Sequence, residues 1–137
     1  MSGPEILQPA GWVPPAGYAN GVVAVVARGR LVFVAGQIGW DPATGAFASD
    51  DFAAQAAQAL RNVAAVLRTA GAEPRHLVRL TWFITDKAAY LAARREIGRA
   101  YREILGRHFP AMSVVVVAAL LEDRARVEIE ATAVVPD

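Results

Sequence analysis

After its opening serine, the stretch Ser113-Val114-Val115-Val116-Val117-Ala118-Ala119-Leu120 is apolar at every position. Successive side chains of a strand point to opposite faces, so a strand built from this stretch needs cover on both. Val22–Ala27 has the same character. Two other segments present a single core face. Over Leu77–Thr85, Val78, Leu80, Trp82 and Ile84 alternate with Arg79, Thr81 and Thr85. Over Arg126–Val135, Val127, Ile129, Ala131 and Ala133 point one way, and Glu128, Glu130 and Thr132 the other.

Working outward from these strands, Val22–Ala27 and Leu31–Ala35 flank the turn Arg28-Gly29-Arg30 and predict a hairpin. Asp41-Pro42-Ala43-Thr44-Gly45 is a strong turn signal. Ser49 or Asp50 is the expected cap of a helix reaching about Ala70, with Phe52, Ala56, Leu60, Val63 and Leu67 on one face and Gly71 as its stop. Asp86 is the expected cap of a second helix, Lys87 to about Leu105, with the stripe Tyr90, Ala93, Ile97, Tyr101, Ile104 and a stop at Gly106. The first 20 residues, rich in Pro and Gly, read as a lead-in, and Pro110 opens the last segment. The order β-β-α-β-α-β-β predicts an α+β fold: one mixed β-sheet with two helices on one face. Helices can then cover only one side of the two-faced strands. An exposed apolar patch of that size marks an association surface, most often a symmetric one.

At 137 residues the chain is expected to be a single domain, residues 1–137. With 55% hydrophobic and 20% charged residues, and a mean hydropathy of +0.30, disorder is excluded as the main state. No apolar run reaches the ~18 residues of a membrane span. No basic region followed by an apolar core marks a signal peptide, so a cytoplasmic protein without a membrane partner is expected. The net charge of +1 and pI near 8.2 disfavour nucleic acid as a partner. The absence of cysteine removes disulfides, thiolate nucleophiles and Cys-bound zinc. His76 and His108 lack metal-ligand spacing, so no metal or other cofactor is expected. Gly36-Gln37-Ile38-Gly39 lacks the Lys and the spacing of a phosphate loop, and two scattered histidines make no Ser-His-Asp set.

Four stretches, taken together in their order and spacing, carry a resemblance to a known family. They are Gly17-Tyr18-Ala19-Asn20-Gly21-Val22; Leu31-Val32-Phe33-Val34-Ala35-Gly36-Gln37-Ile38 with the Asp41–Gly45 turn; Gln58-Ala59-Leu60-Arg61-Asn62-Val63 with Leu67 and Ala70-Gly71; and Phe109-Pro110-Ala111-Met112-Ser113 leading to Val127-Glu128-Ile129-Glu130-Ala131. The resemblance is to the RidA/YjgF (endoribonuclease L-PSP) family and implies a chorismate-mutase-like (YjgF-type) fold. It also implies a homotrimer whose sheets form a central β-barrel, with a small-molecule pocket between subunits. It implies hydrolysis of reactive imines or enamines to a ketone or keto acid and ammonia. Other members bind metabolites, and some are described as ribonucleases, which the near-neutral charge disfavours here. Carried over residue by residue, Tyr18 matches the pocket tyrosine and Glu128 the glutamate that handles the water or proton. Gly36, Gln37 and Ile38 match the stretch lining the pocket, with Ala111 and Met112 as substrate-binding positions. Met112 stands where the family's deaminases carry Arg, and Met cannot grip a carboxylate with a bidentate fork. Ala19-Asn20 replaces the common Ser-Gln, and Ala35 a common Ser. The chain is thus similar to an Arg-less branch, with an apolar substrate edge expected at Met112.

Imine hydrolysis needs a placed water, a proton shuttle and a hold on the substrate. If Val127, Ile129 and Ala131 pack on the helices, Glu128 and Glu130 face the association surface. Partial desolvation there is expected to raise the Glu128 pKa, and loss of the Arg raises it further. The competing reading makes both glutamates solvated strand residues, and Tyr18 a loop anchor. Arg95, Arg99 and Arg102 form a stripe broken by Glu96 and Glu103, best read as a solvated helix face, with Arg94 or Arg95 as a substitute for the missing Arg the less favoured reading. His76 and His108 read as surface or capping residues. Trp12, Trp40 and Trp82 read as core or interface, with Trp40 the one able to border a ligand. A non-catalytic metabolite-binding trimer is the alternative to a deaminase.

Overall fold

A computed structural model of the chain describes residues 5–15 and 19–137. Six strands form one sheet in the order β1-β2-β3-β6-β4-β5. They are β1 (Glu5–Leu7), β2 (Gly21–Val26), β3 (Gly29–Ile38), β4 (Leu77–Ile84), β5 (Ala111–Val116) and β6 (Val127–Val135). Every pairing is antiparallel except β4 with β5, so the sheet is mixed. Helices α1 (Phe52–Thr69), α2 (Lys87–Ala92) and α3 (Arg94–Leu105) complete the fold. No helix among the described residues is long and apolar enough to cross a membrane.

The core lies between α1 and the inner face of the sheet. Leu60, Val63 and Leu67 are fully buried against Val32, Leu80 and Ile129. Each such side chain contributes about 1.5–3 kcal/mol of hydrophobic burial. Along β6 the expected alternation holds: Val127, Ile129, Ala131 and Ala133 are buried, while Glu128, Glu130 and Thr132 turn away from the helices. The expected hairpin of β2 and β3 is present, and β3 continues to Ile38. It does so through a bulge, in which Ala35 and Gly36 stand opposite Glu130, between the pairs Val34–Ala131 and Gln37–Ile129.

Several boundaries differ from expectation, each for a local reason. Asp51, rather than Ser49 or Asp50, caps α1, its carboxylate accepting from the Ala54 N–H at 3.0 Å. Ser49 instead accepts from the Asp51 N–H. The second helix is two. The Ala93 N–H is shared between the carbonyls of Ala89 and Tyr90, a 3₁₀-type tightening that separates α2 from α3. Tyr90 then meets Phe52 edge-on at 6.2 Å, and Ile97, Tyr101 and Leu105 are buried. Gly71 and Gly106 end their helices at positive φ, as the stops predict. β5 stops at Val116, short of Leu120. Its partner β4 ends at Ile84, whose carbonyl takes a last bond from the Val117 N–H, leaving Ala118–Leu120 without a strand to pair with. Val78 is exposed rather than core, because a register shift between Leu77 and Arg79 carries it off the inner face. The lead-in contributes β1, which buries Leu7 against the sheet.

Among the described residues no helix covers the outer face of the sheet, where Phe33 and Val115 are exposed. Met112, Val114 and Val116, in register with the buried Leu80, Trp82 and Ile84, are exposed on the other side of the edge strand β5. This is the two-faced apolar character expected of the strands around Val114.

Candidate functional site

The bulge in β3 decides the geometry of the site. Ile38 pairs with Glu128 across the β3–β6 ladder, and the Glu128 side chain folds back over Gly36. A methyl group on Gly36 would lie 2.1 Å from Glu128 Oε1. With the carboxylate in this position, the site next to it has room only for glycine. Glu128 is half-buried, and desolvation, followed by the charge of Glu130, raises its pKa above the ordinary value. Among the described residues it makes no ion pair.

A cleft of about 390 Å³ opens beside this carboxylate. Gly36, Gln37, Ile38 and Glu128 line it together with Trp12, Asn20, Trp40, Leu121 and Glu122. Asn20 and Gln37 are buried amides at its base. Gln37 Nε2 donates to the Ala35 carbonyl at 3.1 Å and to Asn20 Oδ1 at 3.5 Å, while Asn20 Nδ2 donates to Gln8. A second hollow of about 330 Å³ lies on the open sheet face, lined by Phe33, Arg79, Thr81, Glu130 and Thr132.

Two polar residues of α1 fix the walls. Asn62 Nδ2 donates to the carbonyls of Ile38 and Trp40 at 3.1 and 3.0 Å, fastening the strand end to the helix. Gln55 Nε2 donates to the Ser49 and Arg124 carbonyls, and its oxygen accepts from the Arg126 N–H at 2.8 Å. The loop carrying Leu121 and Glu122 is thereby anchored at its far end. Asn62 and Gln55 are almost fully buried amid the apolar face of α1. Amides seven residues apart on such a face must find buried partners, a signal that sequence reasoning passed over.

Of the residues expected from the sequence, Glu128, Gly36, Gln37 and Ile38 come together in one cleft. Tyr18 lies outside the described residues. Ala111 and Met112 do not line the cleft of their own chain. They open β5 at the sheet edge, where Met112 pairs with Leu80 and is exposed. Arg94 and Arg95 do not reach it either; Arg95 borders a mixed-charge groove with Asp51, Glu96, Arg99 and Glu103 on the helix side. Trp40 borders the cleft, and so does Trp12, read from the sequence as core or interface; Asn20, Leu121 and Glu122 also line it without having been read as site residues. Trp82 is core. His76 Nδ1 accepts from the Glu73 N–H as a cap, and His108 Nε2 bridges to the Leu77 carbonyl at 2.7 Å. Tyr101 donates to the His108 carbonyl, stacks on Phe109 at 5.3 Å, and has its hydroxyl pKa pushed up to about 12 by burial.

Comparison with known proteins bears on this arrangement. Residues 14–135 match the sequence profile of endoribonuclease L-PSP. A RutC family protein of Haemophilus influenzae is 41% identical over 112 residues, which cover 82% of this chain and 85% of that protein. The 2-iminobutanoate/2-iminopropanoate deaminase of Salmonella typhimurium is 39% identical over 109 residues, 77% of this chain and 80% of the relative. The crystal structure of the E. coli YjgF gene product superposes with a TM-score of 0.74 at 33% identity, covering 95% of this chain and 97% of that one. A family match over residues 14–135, joined by relatives at 39–41% identity and a superposition over 95% of the chain, decides the assignment: the protein belongs to the endoribonuclease L-PSP (RidA/YjgF) family.

Proposed function

We propose that the protein hydrolyses a reactive imine or enamine, releasing a ketone or aldehyde and ammonia, at a cleft completed by a neighbouring copy in a homotrimer. The observation that carries this reading is the half-buried Glu128 carboxylate, seated on Gly36 and raised in pKa, at the wall of a cleft large enough for a small metabolite. The deaminase similarity supports it. In the balanced reaction an iminium, R₂C=NH₂⁺, and water give R₂C=O and NH₄⁺. The Glu128 carboxylate takes a proton from water as its oxygen bonds to the iminium carbon. It returns that proton to the amino nitrogen of the carbinolamine, then takes the hydroxyl proton as the C=O forms and the C–N bond breaks, and passes it to the departing ammonia, which leaves as NH₄⁺. Tyr18 supplies a hydroxyl and a ring edge to the substrate. The exposed apolar faces of Phe33 and β5 pack against neighbouring copies, which brings Ala111 and Met112 to the mouth of an adjacent cleft.

The second reading, a trimer that binds a metabolite without turning it over, is favoured by Met112 at the position of the carboxylate-gripping Arg. The deciding experiment measures ammonia release from imines generated in place by oxidases and a dehydratase. Acceleration by the wild type that Glu128→Gln abolishes is the expected result. Inertness of wild type and Met112→Arg alike, with the trimer intact, gives the binding reading precedence.

A further inference from the structure

We infer, building on the hydrolase reading above, that the cleft selects a cationic imine carrying an aromatic or bulky apolar group and no carboxylate, with Trp12 and Trp40 as the residues that determine this specificity. The lining divides into two parts. Trp12, Val13, Trp40, Pro42 and Leu121 form an apolar wall, and Glu122 and Glu128 are the charged lining residues among those described. Both charges are negative. A carboxylate on the substrate would enter a half-desolvated site against two like charges, and this chain's described lining residues include no cation to receive it. An iminium meets two carboxylates beside two lining tryptophans, a residue type whose ring face attracts a cation electrostatically.

The wall is built before any ligand arrives. The Trp40 carbonyl is held by Asn62, and its ring lies 6.1 Å from Phe47, tilted by 49°. Phe47 in turn lies 5.4 Å beneath the Arg124 guanidinium, itself paired with Asp50 at 2.8 Å. The segment carrying Trp12 is tied to the same turn by the Val13 N–H, which donates to the Pro42 carbonyl at 2.7 Å. Leu121 is 96% exposed at the cleft, an apolar side chain available to a ligand. A cleft of about 390 Å³ has space for a ring beyond the reacting carbon.

Two measurements test this separately from the hydrolase reading. Calorimetric titration of the intact protein with phenethylammonium and with 3-phenylpropanoate compares one ring bearing opposite charges. The ammonium is expected to bind at least 10-fold tighter, and Trp40→Ala or Trp12→Leu to weaken it about 10-fold. Equal or tighter binding of the carboxylate, or no binding of either, overturns the inference. Turnover is then compared between the aryl-alkyl iminium made from phenethylamine by an amine oxidase and 2-imino acids made by an amino-acid oxidase. A kcat/KM at least 10-fold higher for the aryl-alkyl iminium supports the inference. Equal or better turnover of the imino acids overturns it while leaving the hydrolase reading intact. Inertness toward every imine, with selective ammonium binding retained, overturns the hydrolase reading and the imine identity of the ligand together.

Discussion

Glu128 and Glu130 sit two residues apart on one strand and project from the same face of the sheet, yet they occupy different chemical environments. Glu130 is exposed and lines the open hollow with Arg79 and Thr81. Glu128 is half-buried, lies over Gly36 and faces the cleft with the two tryptophans. The difference originates on the neighbouring strand. Up to Val34, β3 pairs regularly with β6. The two-residue bulge at Ala35–Gly36 then shifts the register and removes a side chain where the Glu128 carboxylate needs space. One irregularity in a neighbouring strand sets a partly desolvated carboxylate apart from an exposed one. A regular ladder would have left both glutamates alike.

The sharpest way to break the comparison is to neutralise each carboxylate. Glu128→Gln is expected to lower kcat/KM for imine hydrolysis by about 10²–10⁴-fold, the usual contribution of a positioned general base. Glu130→Gln is expected to stay within about threefold. Equal losses from both would show that the bulge does not matter to the chemistry.

Next comes the seat itself. Gly36→Ala places a methyl group 2.1 Å from Glu128 Oε1 and must displace the carboxylate. A misplacement near 1 Å is expected to cost about 10²-fold in kcat. Because Gly36 acts through Glu128, the pH profile of kcat/KM should shift as well, a change that mere loss of fold would not produce.

A smaller effect is expected at the helix anchor. Asn62→Ala leaves the buried side of the Ile38 and Trp40 carbonyls unpaired, a loss of about 1–3 kcal/mol measurable by urea denaturation. KM should rise more than kcat falls, since the wall moves and the carboxylate does not.

The smallest effects are in the titration. A general base must be ionised, so kcat/KM should rise with pH along a limb displaced upward from that of an ordinary glutamate. Glu130→Gln removes a charge that raises the Glu128 pKa, and should move that limb to lower pH. The same shift governs stability. The folded chain holds the Glu128 proton more tightly than the unfolded chain. Its stabilising contribution is therefore complete below the ordinary value of 4.5 and lost as pH rises through the higher folded-state value. Glu128→Gln should accordingly raise Tm at pH 8 relative to wild type and leave it little changed at pH 4.

Much of this was legible in the sequence because it depends on local periodicity. The alternation of Val127, Ile129 and Ala131 with the glutamates was enough to orient β6 and to place Glu128 on the open face. The spacing of Phe52, Ala56, Leu60, Val63 and Leu67 was enough to define the buried stripe of α1. The apolar run after Ser113 announced an uncovered face. Cap identity, the break at Ala93 and the end of β5 at Val116 were not legible, because each depends on which partner group lies within hydrogen-bond reach. Of the cleft, the family resemblance made Gly36, Gln37, Ile38 and Glu128 legible, and the sequence beside them offered Trp40 as a border. Trp12, Leu121 and Glu122 reach it from segments far apart in the chain, and no pattern of spacing encodes that meeting. The sequence by itself determined the elements, their buried faces and the pair of candidate carboxylates, since side-chain period and polarity are local properties. Only the tertiary structure decided which carboxylate is desolvated and what surrounds it, since a pKa and a binding surface are set by the atoms brought near through folding.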